Sequence, residues 1–234
     1  MSVPISKRLL TAANMVDNGA KVADIGCDHG YLGIYLLLTG QASFVYASDL
    51  RTGPLGAAKR NAEKFGVTQK MEFVCADGFA GIDPDKVDTL ICCGMGGDLI
   101  RKMIEKSPWV CDSRYTLILQ PQAGQAEFRK WLAGEGFSIL EEQPVFDDRF
   151  IYAAMKIRYT GDCKTLSPGE SYVTKQMLTC GSEDLPKYLE RVLDSLEKSI
   201  TGMEISKNPG EKLDDFKSAR SEILEMRERL YEGQ

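Results

Sequence analysis

The stretch that decides the fold is Ala23-Asp24-Ile25-Gly26-Cys27-Asp28-His29-Gly30-Tyr31-Leu32. An apolar run over 21–26 closes on one glycine, a second glycine follows at 30, and a helical pattern starts at once. Gly26 and Gly30 allow a tight strand-to-helix turn and let a ligand approach main-chain amides at the helix start. Working outward, further strands are predicted at 43–48, 71–75, 87–92 and 114–120, with helices near 30–39, 53–65, 96–106 and 123–134. Such alternation demands right-handed crossovers and a mostly parallel sheet covered on both faces. The pattern then changes. Residues 137–146 and 149–157 read as strands joined by Asp147-Asp148, too close for a crossover helix, so they are expected to form an antiparallel hairpin.

From about residue 159 everything is expected to be helical, giving a division into 1–158 and 159–234. Leu185, Leu189, Val192, Leu196 and Met203 keep a rhythm of three and four, interrupted by Ser199. Phe216, Ala219, Ile223, Met226 and Leu230 keep it again, and Asn208-Pro209-Gly210 breaks the chain between the two runs. The expected result is a coiled-coil-like antiparallel helical hairpin.

The 234 residues suffice for a full core without disulfides or metals. No apolar stretch approaches the roughly 20 residues that cross a bilayer, and the start lacks a secretory signal, so no membrane association is expected. Seven cysteines form no framework, and Cys92 and Cys93 lie in an apolar run that suits packing, which together suggest a reducing, cytoplasmic setting. His29 is the only histidine and no Cys-x-x-Cys occurs, so no metal is expected.

Net charge is −5, which at first sight disfavours a nucleic-acid partner. Divided at residue 158, however, the first part holds 18 basic and 19 acidic residues and the second 11 and 15. The acidity belongs mainly to the helical appendage. A few placed cations beside the cleft remain compatible with RNA.

Chemistry gathers at the carboxyl ends of the predicted strands. The second ends in Ser48-Asp49-Leu50, 23 residues beyond Gly26, where an acid accepts hydrogen bonds from ribose hydroxyls. The third ends in Asp77-Gly78, and the fourth in Gly94-Met95-Gly96-Gly97. A dinucleotide dehydrogenase is the obvious competitor, but Gly-Cys-Asp-His-Gly is not Gly-x-Gly-x-x-Gly. Asp24 and Asp28 would repel a pyrophosphate, whereas a cationic sulfonium carrying an amino-acid tail suits them. S-adenosylmethionine is such a molecule.

The Asp-x-Gly-x-x-x-Gly turn, Asp49, Ala76-Asp77-Gly78 and the terminal hairpin resemble class I S-adenosylmethionine-dependent methyltransferases. More narrowly, Ser6-Lys7-Arg8-Leu9, Ala23-Asp24-Ile25-Gly26, Asp28-His29, Tyr31-Leu32, Gly53-Pro54, Gly94-Met95-Gly96-Gly97 and Leu119-Gln120-Pro121 resemble the bacterial tRNA (adenine-22, ring nitrogen 1)-methyltransferase family. The helical appendage is similar too. Gly33 stands where that family's proline is expected, and Gln122 where its asparagine is.

The resemblance implies a Rossmann-like α/β sheet with a terminal hairpin and a helical hairpin after it. It implies S-adenosylmethionine as cofactor, held by Asp24, Gly26, Asp28, His29, Gly30, Asp49, Leu50, Asp77, Gly78, Gly94 and Met95. Asp28, His29 and Tyr31 become candidates for catalysis, and Lys7, Arg8, Arg51, Gln120, Pro121 and Gln122 for contact with tRNA. Tyr31 can stack on a base or simply pack, and His29 can shape the loop without touching substrate. Lys59, Arg60 and Arg149 are further candidates for phosphate contact. The chain is expected to be monomeric. A small-molecule or other RNA methyltransferase, or a non-catalytic cofactor-binding scaffold, fits the same cofactor signature.

Overall fold

The computed structural model describes residues 2–205 and 210–232. In chain order the main elements are α1 (Lys7–Asn14), β1 (Ala20–Ile25), α2 (Tyr31–Leu38), β2 (Ala42–Asp49), α3 (Thr52–Phe65) and β3 (Met71–Cys75). Then follow β4 (Thr89–Met95), α4 (Gly97–Glu105), β5 (Thr116–Pro121), α5 (Gln125–Gly134), β6 (Phe137–Asp147) and β7 (Phe150–Tyr159). Three further helices close the chain: α6 (Lys175–Thr179), α7 (Leu185–Ile205) and α8 (Gly210–Glu232).

The seven strands form one sheet in the order β3-β2-β1-β4-β5-β7-β6. The five first strands pair in parallel, and β7 runs antiparallel to both β5 and β6. Successive crossovers carry the chain outward from β1 to β3, then back past β1 to β4. The β1–β4 boundary is therefore the switch point at which flanking connections diverge and leave a crevice at the carboxyl edge. Helix cover explains why β1 and β5 bury residues on both faces instead of alternating. One core cluster joins α1, α2 and α3 to the sheet, and a second lies under α4 and α5.

Two expectations need correction. Residues 160–174 are not helical: Gly161, Pro168 and Gly169 interrupt them, and helix resumes only at Lys175. Asp147 belongs to β6, so the hairpin turn is Asp148-Arg149, with Asp148 at φ 56°. Helix α1 was not anticipated as an element. Of the expected helix break, Asn208-Pro209 lies outside the described residues, and α8 begins at Gly210. The pairs Glu204–Lys217 and Glu197–Arg220 run in opposite sequence directions, which makes α7 and α8 antiparallel.

This helical arm is fixed to the sheet by a buried polar network. Arg129 on α5, only 1% exposed, donates from Nε and Nη2 to Glu142 Oε1 at 3.0 and 2.7 Å. Its Nη1 donates to the Ser171 carbonyl and its Nη2 to the Tyr188 hydroxyl on α7, at 3.0 and 3.1 Å. Glu142 Oε2 accepts from Thr174, whose hydroxyl also caps α6. The outer edge of β6 is covered as well, since Asp184 accepts from Phe146 N–H and Ser182 donates to the Pro144 carbonyl.

Arg129→Ala should destabilise the chain by about 3–5 kcal/mol, because it leaves Glu142 buried and uncompensated. Replacing both, Arg129→Met with Glu142→Leu, should cost much less. Urea midpoints for the two variants provide the comparison, and equal losses would contradict it.

Candidate active site

At the end of β1 the chain folds over the end of β2. Gly26 and Cys27 N–H both donate to the Ser48 carbonyl, at 2.8 and 2.9 Å. This turn requires Gly26 at φ 73°, Asp28 at φ 49° and Gly30 at φ 72°, all in the left-handed region. Space imposes a second demand at Gly26, where a Cβ would collide with the Met95 methyl. The β1 and β4 turns thus interlock across the switch point. Gly30 also meets α3 closely, since a Cβ there would approach Ala58 Cβ to 2.9 Å.

Asp49 ends β2 with its carboxylate tied into this turn. Its Oδ1 accepts from Arg51 N–H at 2.9 Å and its Oδ2 from Asp28 N–H at 3.4 Å. Leu50 follows, 68% exposed, as a bare apolar surface beside that acid. Asp77 sits at the end of β3, exposed and 3.7 Å from Lys106 Nζ. Gly78 packs on Met103, with no room for a Cβ.

The cleft itself, about 100 Å³, is lined by Arg8, Asp24, Gly26, Asp28, His29, Tyr31 and Cys93 among others. Asp24 is buried and its Oδ2 has no hydrogen-bond partner among the described residues. Two further orphaned buried atoms lie at matching positions: Ser48 Oγ near the end of β2 and Gln120 Nε2 near the end of β5. Burial pushes the Asp24 carboxyl from its usual 3.8 up to about 7, with the negative charge of Asp49 adding to the rise and the Gly33 amide opposing it. Cys93 is pushed up to about 12, by burial first and then Asp24, and Cys92 and Cys27 also rise. Raised this far, the thiols stay protonated and pack as small apolar groups.

Arg8 reaches the same cleft from α1. Its Nη1 donates to Gln120 Oε1 at 2.9 Å, its backbone N–H to Asp147 Oδ2 at 3.1 Å, and its guanidinium lies 5.8 Å from the Tyr152 ring centroid. Gln122 is close by, with its N–H donating to the Met95 carbonyl at 2.8 Å. Among the expected residues, then, Asp24, Gly26, Asp28, His29, Tyr31, Asp49, Gly94, Met95, Arg8, Gln120 and Gln122 converge. Pro121 ends β5 alongside, paired with Met95. Lys7 and Arg51 are exposed at the margin, and Asp77 with Gly78 lies one strand further out.

Tyr31 packs partly into the core, its ring 5.9 Å from that of His29. Asp28 and His29 are largely exposed, 3.9 Å apart. Ser48, Asp147 and Tyr152 were missed by sequence reasoning. The Asp-Asp turn signalled a hairpin tip, but nothing in the spacing showed that it would meet Arg8. Among the described residues no cluster of His, Cys, Asp or Glu can hold a metal, and no helix is long and apolar enough to cross a membrane.

The sheet order with its reversed β7, the acid ending β2 and the acidic cleft at the switch point define a Rossmann-like methyltransferase of the S-adenosylmethionine type. The chain belongs to the methyltransferase-domain family, which matches residues 5–155. It is 35% identical over 151 residues to the tRNA (adenine(22)-N(1))-methyltransferase of Bacillus subtilis strain 168, covering 64% of this chain and 63% of that protein. The chain thus spans just under two thirds of that relative in the alignment. The crystal structure of the B. subtilis M1A22 tRNA methyltransferase TrmK superposes with a TM-score of 0.83 at 26% identity, covering 96% of this chain and 99% of that one. Streptococcus pneumoniae Sp1610, a candidate tRNA (m1A22) methyltransferase in complex with S-adenosyl-L-methionine, gives 0.79 at 28% identity, with 92% and 99% covered.

The Asp24 shift fixes the sign of a pH effect on the ligand-free protein. A carboxyl whose folded pKa is raised contributes stability in acid and loses it as pH climbs from about 4 to about 7. Asp24→Asn should therefore gain thermal stability over the parent as pH rises through that window, with the gap constant above it. Melting curves between pH 4 and 8 test this, and a pH-independent gap would refute the assignment.

Proposed function

We propose that the chain methylates ring nitrogen 1 of adenine 22 in tRNA, using S-adenosylmethionine. The observation that carries this reading is the acidic, glycine-walled cleft at the switch point, in a chain 35% identical to a tRNA (adenine(22)-N(1))-methyltransferase. The residues fit that cofactor. Asp24 Oδ2, buried without a partner, favours a cationic amine or sulfonium nearby. Asp49 can accept from both ribose hydroxyls while still holding the Asp28 amide, and Leu50 offers a flat apolar surface to a purine. Asp77 can accept from an exocyclic amine, and Gly94 leaves main chain open beside the reacting centre.

Bound there, the cofactor supplies a methyl group on a positively charged sulfur. The adenine nitrogen carries a free lone pair, so no base need remove a proton first. That lone pair forms the new carbon–nitrogen bond, the electrons of the broken carbon–sulfur bond stay on sulfur, and positive charge passes to the purine. The protein's task is to align nitrogen, methyl and sulfur and to exclude alternatives. Asp28, exposed above the turn, is placed to stabilise charge building on the purine and its amine. Arg8 and Gln120 form a hydrogen-bonded pair at the wall of the cleft where the base must enter, and Gln122 lies beside them. The target nitrogen is hidden by pairing or stacking in a folded tRNA arm, so the base must be extruded, at a cost of a few kcal/mol. The tRNA, a monomeric state and a cytoplasmic setting complete the reading.

Incubation with labelled S-adenosylmethionine and unmodified tRNA should place one methyl group on adenine 22, read by nucleotide mapping. A methyl group at another nucleotide would defeat this reading, and labelling of a small molecule instead of RNA would favour the alternative. Asp49→Ala should weaken cofactor binding by about 100-fold, the scale of losing two hydrogen bonds to a charged group. Calorimetric titration measures it, and unchanged affinity would remove Asp49 from the site.

A further inference from the structure

The β6–β7 hairpin reaches beyond the sheet on the same side as the cleft. The β5–β7 ladder ends at Leu119–Met155, yet the hairpin continues for five more pairs, from Gln143–Ala154 to Asp147–Phe150. Because β7 runs antiparallel to β5, the last three of these pairs extend past the carboxyl end of β5 at Pro121. Counting from Pro121, and at roughly 3.4 Å per residue, the tip stands about 10 Å beyond that edge. Two strands alone would be marginal, but this pair is braced from both faces. On one, Arg8 N–H donates to Asp147 Oδ2; on the other, Lys187 Nζ lies 4.8 Å from the Phe146 ring, and along the outer edge Phe146 N–H donates to Asp184 Oδ2 at 2.8 Å.

Side chains alternate along β7, and the two faces are used differently. Ile151 and Ala153 join the core of the helical arm. Phe150 and Tyr152 take the opposite face, with ring centroids 6.3 Å apart. Tyr152 carries the Arg8 guanidinium, and Arg8 lines the cleft. A continuous path therefore runs from the cleft wall through Arg8 and Tyr152 to Phe150, which is 53% exposed at the tip.

We infer that Phe150, seated on Tyr152 at the end of this braced hairpin, is a wedge that enters the base stack of the RNA substrate and occupies the gap left by the extruded adenine. The inference rests on the tRNA reading above. Extrusion leaves two neighbouring bases without a partner face, and an aromatic ring restores that contact whatever the bases are. Inserted apolar side chains serve that purpose in other nucleic-acid complexes. A rigid support is required, since a mobile tip would lose the contact it gains to ordering.

The test uses the full chain and tRNA carrying 2-aminopurine at the nucleotide that the unaltered protein methylates, as mapped beforehand. Saturating unaltered protein should raise the fluorescence of the probe as it leaves the stack. Phe150→Ala should abolish most of that rise and lower kcat on folded tRNA by about tenfold, the scale of one lost base–aromatic contact. Its cofactor affinity and melting temperature should stay unchanged, because the ring lies outside the core, and Phe150→Tyr should restore both signals. A variant that keeps the fluorescence rise and the rate overturns the wedge, as does one that loses only RNA affinity with kcat intact. Absence of a rise with the unaltered protein also overturns it. Methylation mapped away from adenine 22 counts instead against the tRNA position proposed above.

Discussion

The Ser48 carbonyl accepts two amides, Gly26 and Cys27 N–H, and this shared acceptor bends the chain after β1 across the end of β2. Once that bend is made, the remaining geometry has little freedom. Gly26 must be left-handed and bare, Met95 fills the space above it, and Asp28 N–H comes within reach of Asp49. Three strands that are distant in sequence thereby share one edge of the sheet. The acid that ends β2 is a structural acceptor for the turn, taking the Arg51 and Asp28 amides on its two oxygens. A ligand that binds Asp49 acts directly on the loop that carries Asp28 and His29.

Electrostatics at the cleft are arranged around a cost. Asp24 is buried with one oxygen orphaned and its proton held more tightly than usual, while Asp49 adds repulsion nearby. Nothing in the protein's own side chains relieves this among the described residues. The helical arm contrasts with it: Arg129 and Glu142 are equally buried but fully paired, with Tyr188, Ser171 and Thr174 completing their hydrogen bonds. One buried carboxylate is fully paired within the fold, and the other keeps an oxygen without a partner among the described residues. Two carboxylates of equal burial thus differ in how their hydrogen bonds are met, a distinction that exposure alone does not show.

Much of this was legible in the sequence, for definable reasons. Strands and helices of the sheet showed because apolar runs and turn glycines are local signals, and the β-hairpin showed because its two strands are too close for a crossover. Asp49 and the Gly26 turn were legible from spacing alone. By contrast, α1 is short and its Ser6-Lys7-Arg8 start was recognised by resemblance, not as a helix. Residues 160–174 carry local breaks at Gly161, Pro168 and Gly169, but part of the segment is held by distant groups that no local pattern shows, as where Lys164 N–H donates to the Ala133 carbonyl and Gly169 N–H to Glu222. The Arg8–Asp147 contact spans 139 residues of sequence, and only the strand register reveals it. Which face of β7 would carry Phe150 and Tyr152 is fixed by that same register.

Gly33 shows how tightly α2 is set against the sheet. A Cβ at this position would lie 2.8 Å from Val45 Cγ1 and 3.3 Å from the Met71 methyl, so the bare helix backbone rests directly on these two strand side chains. The resemblance to the tRNA methyltransferase family implies a proline at this position. A proline ring cannot simply replace Gly33 while Val45 and Met71 keep their present positions. Any side chain at position 33 has to displace Val45 before α2 can dock, so the depth at which this helix settles on the sheet is set at a single residue.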